Sequence, residues 1–301
     1  MRSLGLALGL LAAALPVSTG SAERPANGTA PLRKPMRVMS LNTCTDQLVL
    51  ELLPPERIAS VTMLSLDPGD SLMAAEAKRV AINHGLAEEV VRQKPDLVIA
   101  SPFSTPAVRS MLKRLNYPMI EVGAANSFDD IRSMTRQVAA AVGEVARGEA
   151  LIAEMDAKLA ALARAPHATY RIAAWDRFGF GSGAGTLPGA IFEAAGAHNV
   201  AADPPASNYG RPDAEVLLEA APPLLVQGAP GVPKPSLGDD VEAHRVVRRF
   251  WSSQGRMLNI PQAYYVCGTP RIAEAVRLLR EQLKIAAARA NTPLPFAGAR
   301  Q

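Results

Sequence analysis

Cysteine is scarce in this chain of 301 residues, which holds only Cys44 and Cys267. A disulfide-dense small scaffold and a cysteine-built zinc module are thereby excluded. The four histidines, His84, His167, His198 and His244, form no close-spaced pair. That disfavours a zinc or manganese protein built on clustered His and carboxylates. Aromatic residues make up 5% of the chain, and its 32 Lys and Arg are scattered among 28 Asp and Glu with no basic run. Nucleic-acid binding, which needs a basic stripe with interleaved aromatics, gains no support. Catalytic sets are missing as well: Ser182 in "GFGSGAG" lacks the spacing of a hydrolase nucleophile elbow. No apolar run approaches the roughly 18 residues of a membrane span.

The apolar run that does stand out, Leu4 to Leu15, opens the chain within "MRSLGLALGLLAAALPVSTGSA". One Arg before it and small residues at Gly20 and Ala22 read as a cleaved secretory signal over 1–22. Residues 23–35, rich in Pro and Gly without periodicity, read as a flexible leader, so a mature fold is expected to begin near Met36. The length admits two domains, and a hydrophobic content of 48% is enough for real cores.

From Met36 onward, short apolar runs alternate with helical stretches. Strands are expected at 37–41, 57–61, 96–100 and 118–122, with helices near 44–53, 86–93 and 105–116. The second half repeats the pattern, with strands at 170–175, 223–227 and 256–260 and helices near 187–196, 213–220, 240–251 and 270–288. Such alternation implies mostly parallel sheets covered by helices. One unit is stated twice: "AEEVVRQKPDLVIAS" (87–101) and "AEVLLEAAPPLLVQG" (214–228) align at Ala87 with Ala214, Glu88 with Glu215 and Pro95 with Pro222. The repeat implies two α/β lobes of similar build. The boundaries expected are an N-terminal lobe over 36–125, an inter-lobe helical segment over 126–166, a C-terminal lobe over 167–288 and a flexible tail over 289–301. In the helical segment Ser127 caps the start, and Ile152, Met155, Leu159 and Leu162 follow helical spacing. It reads as a strut that restrains hinge motion.

Several residues are candidates for function. "GFGSGAG" (179–185) lies between a strand and a helix, but Ala184 takes the third glycine position of a dinucleotide fingerprint. It reads instead as a Gly-rich loop, flanked by Trp175, Phe178 and Phe180, where a ligand can approach backbone. Glu88 and Glu215 are either acids that offset a helix dipole or a symmetric pair that docks onto two basic pockets of a partner. Cys44 and Cys267 each follow a strand and open a helix. They form either a disulfide or two thiols lining a cleft, able to hold a soft metal.

The chain resembles the periplasmic binding proteins of ABC importers for ferric siderophores, haem and cobalamin. The likeness covers roughly 36–286 and rests on "RVMSLNTCTDQLVLEL", "GLAEEVVRQKPDLVIAS" and "GTLPGAIFEAAGAHNV" in that order. It implies an α/β fold of two Rossmann-like lobes joined by a single long helix, with the ligand cleft between the lobes. It also implies that Glu88 and Glu215 engage Arg residues of a dimeric permease.

The cobalamin-binding branch is the most similar. Tyr209, Phe180, Tyr264 and Tyr265 match positions where that branch places cleft aromatics, which suit stacking on a flat macrocycle. Two departures stand out: Ala195 occupies a position where the branch has a disulfide cysteine, and the stretch Ile82 to His84 lacks its Trp. His84 is a candidate ligand to a metal-centred cargo, against the alternative of a hydrogen-bonded surface His. Arg177 and Arg211 offer charge for an anionic chelate.

The expectation is therefore a monomeric periplasmic binding protein, not an enzyme. It needs no cofactor and takes a cobalamin, other corrinoid or ferric siderophore to its permease. Its expected ligand-binding residues are Cys44, His84, Trp175, Arg177, Phe178, Phe180, Tyr209, Arg211, Tyr264 and Tyr265. The competing expectation is an extracytoplasmic thiol or redox enzyme that uses Cys44 and Cys267.

Overall fold

The computed structural model describes residues 34–165, 168–176, 179–181, 183–204, 214–229 and 243–297. Five parallel strands build the first sheet: β1 (Val38–Ser40), β2 (Ile58–Thr62), β3 (Ile82–Asn83), β4 (Leu97–Ala100) and β5 (Met119–Glu121). Their order is β3-β2-β1-β4-β5. β1 and β4 are buried along their whole length, which is why they read as unbroken apolar runs rather than alternating ones. Helix α1 (Thr43–Leu52) covers one face through Leu48, Val49 and Leu52, and α3 (Ala87–Gln93) and α4 (Pro106–Arg114) cover the other through Val90, Val108 and Leu112. A short helix, α2 (Ala74–Ala77), precedes β3.

The second sheet holds β6 (Tyr170–Asp176), β7 (Gly179–Gly181), β8 (Ala197–Asn199), β9 (Leu224–Ala229) and β10 (Met257–Pro261). Its order is β10-β9-β6-β7, and β8 also pairs with β6. All pairs are parallel except β6 with β7. Alternate residues of β6 go to opposite faces: Ile172 joins a core with α7 (Leu187–Ala194) and α10 (Ile272–Ile285), whereas Ala173 and Trp175 join a core with α8 (Ala214–Ala220) and α9 (Arg245–Phe250). The first three residues of the expected Gly-rich loop are thus a strand, with Phe180 opposite Trp175 in register. β3 and β8 are too short to leave any periodic trace in the sequence.

The repeat is reproduced at the level of the backbone. α3 and α8 each end on a left-handed residue, Lys94 (φ 48°) and Ala221 (φ 43°). The amides of these residues donate to Val90 O at 2.9 Å and Leu217 O at 3.0 Å. Pro95 and Pro222 come next, where proline disfavours a right-handed helical residue before it. Each helix therefore stops abruptly and turns back into β4 or β9, each of which pairs with the first strand of its sheet, β1 or β6.

The segment between the lobes holds a second helix besides the expected long one. It forms two, α5 (Phe128–Val142) and α6 (Val145–Arg164), broken at Gly143, whose φ of +74° a residue with a side chain adopts only with strain. Ser127 caps α5 as its sequence predicts, accepting from the Asp130 amide at 3.1 Å. The two helices pack antiparallel, clamped by ion pairs of Arg132 with Asp156 at 2.6 Å and Arg136 with Glu149 at 2.7 Å. α5 packs on the first lobe through Met134, Val138 and Val142, while Phe128 and Ile131 at its start pack on the second-lobe core. The connector is α6 alone, which starts against the first core at Leu151 and reaches the second through Met155, Leu159 and Leu162. Its 20 residues extend about 30 Å. Among the described residues no helix is long and apolar enough to cross a membrane.

The expected tail from 289 also needs correction. A short helix, α11 (Ala287–Ala290), leads to Leu294, which is buried, and Phe296, which packs on Trp251 and Phe250 with ring centroids 6.0 and 4.9 Å away. Buried Arg256 donates to the carbonyls of Arg289 at 2.8 Å and Thr292 at 3.0 Å, so the chain is held in place to at least Ala297.

One buried acid sets a pH dependence. Asp46 on α1 is fully buried, and its Oδ2 accepts from the Thr62 amide at 3.0 Å, the Thr62 hydroxyl at 2.5 Å and the Ser65 hydroxyl at 2.7 Å. Burial pushes its pKa up to about 6 against those hydrogen bonds, which favour the charged form. The folded pKa thus exceeds the unfolded one, so this contribution is complete in acid and is lost as pH rises toward and through 6. The loss amounts to about 3 kcal/mol. Denaturant titrations of wild type and Asp46→Asn should therefore give stabilities whose difference changes by that amount between about pH 3 and 7.5. A difference independent of pH would remove Asp46 as the cause.

Candidate ligand-binding cleft

In an open parallel sheet, ligands collect beyond the carboxyl ends of the strands, where the strand order reverses. In the first sheet that point lies between β1 and β4, since the chain goes from β1 outward to β2 and β3 and then returns to β4. The residues just past those two strands, Asn42, Cys44 and Thr45 on one side and Ser101 and Phe103 on the other, line a cavity of about 330 Å³. Thr186, Leu187, Pro188 and Tyr265 of the second lobe close it. In the second sheet the corresponding point lies between β6 and β9. The expected Arg177 and Phe178 follow β6 directly; both lie outside the described residues, as do Tyr209 and Arg211.

Local chemistry sets the first-lobe wall. Asn42 caps α1, its side chain accepting from the Cys44 amide at 3.0 Å, and this orients the first turn toward the cavity. The Ser104 hydroxyl donates to Leu41 O at 2.8 Å and accepts from the Ser101 amide at 3.1 Å. That ties the loop carrying Phe103 to the end of β1. Phe103 is 75% exposed, an open apolar ring at the cavity edge, and the sequence reading did not select it. The available signal was its place just after the buried run "DLVIA".

The two cysteines are joined. Cys44 and Cys267 form a disulfide with Cα atoms 5.0 Å apart across 223 residues of sequence, which favours the bridge over the two-thiol alternative. Near it the lobes touch closely: a side chain at Gly268 would meet Ala125 Cβ at 2.4 Å. Gln262 donates to Asp70 at 2.9 Å, and Arg271 pairs with the buried Glu51 of α1. Burial raises the Glu51 pKa, and the Arg271 guanidinium opposes that rise.

Of the remaining expected ligand contacts, Tyr265 lines the cavity. Its ring stands between this space and a small apolar cavity of about 40 Å³ behind it, bounded by Ile191, Phe192 and Val226. The ring fits because residue 228 has no side chain; a Cβ there would sit 1.8 Å from Tyr265 Oη. Gly228→Ala should therefore drive the phenol from its seat and lower stability by about 1–3 kcal/mol. In a double-mutant cycle the same change on a Tyr265→Ala background should cost markedly less; equal costs in both backgrounds would show that the clash is relieved elsewhere.

Tyr264 packs against the second-lobe core and is not among the residues lining the cavity. Trp175 must be corrected: it is 1% exposed and packs with Trp251, Val247 and Leu217 in the α8–α9 core, so it has no surface to offer a ligand. Phe180 keeps its place on β7; its side chain lies outside the described residues. His84 is not among the cavity residues either. Its Nδ1 lies 3.0 Å from Glu89 Oε1, and the amides of His84 and Leu86 donate to Glu89 Oε2 at 2.7 and 3.1 Å. Burial pushes Glu89 upward, but the His84 ring and these amides outweigh it and hold the carboxyl below its ordinary range. The hydrogen-bonded alternative for His84 therefore has the direct geometric support. Among the described residues no group of three or more His, Cys, Asp or Glu could hold a metal ion.

Glu88 and Glu215 are both exposed in the first turns of α3 and α8. Each helix runs back against the strand that follows it, which puts its first turn at the carboxyl edge of its sheet. That is the edge on which the cavity opens.

A family model described as "Periplasmic binding protein" matches residues 38–249, most of the two-lobed fold. The chain belongs to the periplasmic binding protein family. A protein of Halobacterium salinarum named cobalamin-binding protein is 28% identical over 209 residues, covering 65% of this chain and 54% of that one. The chain thus spans about half the length of the curated relatives it matches. Among solved structures, the periplasmic haem-binding protein RhuT from Roseiflexus sp. RS-1 superposes with a TM-score of 0.64 at 23% identity, covering 83% of this chain and 98% of that one. The periplasmic vitamin B12 binding protein BtuF of Vibrio cholerae gives 0.62 at 17% identity, covering 84% and 98%. These structures share the two-lobed fold. The relatives of this periplasmic binding protein are binding proteins rather than enzymes.

Proposed function

We propose that this chain is the substrate-binding component of an ABC importer, capturing a corrinoid or ferric siderophore between its lobes and handing it to a permease. The observation that carries the reading is the cavity at the strand-order reversal, walled by both lobes and edged by Phe103 and Tyr265. Flat aromatic and apolar walls suit a large ring-shaped chelate, and no chemistry on the ligand is required. The likeness to the Halobacterium salinarum cobalamin-binding protein supports a corrinoid first. On this reading, residues 1–22 are a cleaved signal, the mature protein works in the periplasm as a monomer, and Arg177, Arg211 and Tyr209 are ligand-binding residues. Glu88 and Glu215 meet the two halves of the permease.

Titrating the mature protein with cyanocobalamin by calorimetry tests the ligand. Saturable binding at or below about micromolar concentration, roughly −8 kcal/mol, is expected. Absence of heat with cyanocobalamin, set against binding of a ferric hydroxamate or haemin, would move the assignment from corrinoids to that class.

A further inference from the structure

The Cys44–Cys267 bridge joins the lobes rather than bracing one of them. Cys44 sits in the first turn of α1, in the first lobe, while Cys267 follows β10 in the second. Cys44 is also part of the cavity wall, and Val266 and Gly268 on either side of Cys267 line the same space. A covalent bond therefore fixes one wall of the cleft against the other where a ligand must fit. Further ties from the 262–271 stretch to the first lobe include Gln262 with Asp70, Arg271 with Glu51 and the close packing of Gly268 on Ala125. The Gln262–Asp70 bond is partly exposed and exchanges with water, whereas the Arg271 pair engages a buried carboxylate. The disulfide is the tie among these that cannot exchange without a reductant.

We propose that the Cys44–Cys267 disulfide is a redox-set latch on the cleft. Oxidised, it holds the two walls at the spacing that accepts ligand; reduced, it frees the 262–271 stretch from α1 and weakens the cleft. The two sulfurs are unequal, since Cys44 is half-buried and Cys267 is 3% exposed. A thiolate of a dithiol reductant attacks Cys44 Sγ, the S–S bond breaks, and Cys267 leaves as a thiolate that takes a proton from water. The second thiol of the reductant then displaces Cys44 as a thiol. The protein gains two electrons and two protons, and the reductant leaves as its disulfide.

The ligand half of this inference rests on the proposed function; the mechanical half does not. Hydrogen exchange is measured by mass spectrometry on the oxidised protein, the protein reduced with dithiothreitol, and the Cys44→Ser/Cys267→Ser variant. In both unbridged forms exchange at residues 41–47 and 262–271 should accelerate at least about tenfold more than exchange in β1, β4, β6 and β9. Cyanocobalamin affinity should fall at least about tenfold alongside it. Unchanged exchange in those segments overturns the latch. So does acceleration of the same size in both sheets, which would trace the change to global stability and not to the cleft wall. If the oxidised form fails to bind cyanocobalamin, the corrinoid reading falls, and the exchange pattern alone decides the latch.

Discussion

Replacing Glu88 and Glu215 together by alanine is expected to cut ligand uptake by roughly a thousandfold in cells carrying the cognate permease, with ligand affinity unchanged. Both carboxylates are exposed, and both occupy the second position of a seven-residue helix that ends on a left-handed residue before proline. Equivalent backbone in the two lobes gives them equivalent orientation, as a partner with two similar halves requires. Truncating one member of a desolvated charge pair costs about 2 kcal/mol or more, and two well-separated pairs add. Each single variant should therefore lose about thirtyfold, and Glu→Gln should behave like Glu→Ala, because charge is what is lost. Vesicle transport assays paired with calorimetry check this. Affinity that falls together with uptake would mean that the two residues support the cleft and not the docking.

Removing the disulfide should produce the largest change in stability. The bridge closes a loop of 223 residues, for which the chain-entropy model assigns about 5 kcal/mol to the restricted unfolded state. For a protein of this size that corresponds to a fall in Tm of roughly 10 °C. Calorimetry of the oxidised protein, the reduced protein and the Cys44→Ser/Cys267→Ser variant should give one high and two matching low transitions. A shift below about 2 °C would show that the lobes already hold the two sites together in the unbridged chain, through α6 and the shared packing around Ile131.

The sequence by itself determined most of the elements and their order, because the signals involved are local. Buried strands such as β1 and β4 announce themselves as short apolar runs, and the alternation with helices follows from the same pattern. The helix–Pro–strand repeat carries its own stop signal at Pro95 and Pro222, so two similar lobes were legible, as were the exposed acids at Glu88 and Glu215. The family resemblance rests on those same local pieces.

Tertiary structure decided whatever depends on contacts between distant residues. Trp175 sits next to a Gly-rich stretch and reads as a ligand aromatic, yet strand parity and the covering helices α8 and α9 bury it. His84 meets Glu89 five residues on, a contact its place in the sequence does not announce. Gly143 carries the same letter whether it breaks a helix or lies within one, and only the pairing of Arg132 with Asp156 and Arg136 with Glu149 reveals a hairpin. The two cysteines could have stayed apart; the close approach of α1 to the 262–271 stretch brings them together. Periodicity records which face of an element is apolar, but not which distant element comes to cover it.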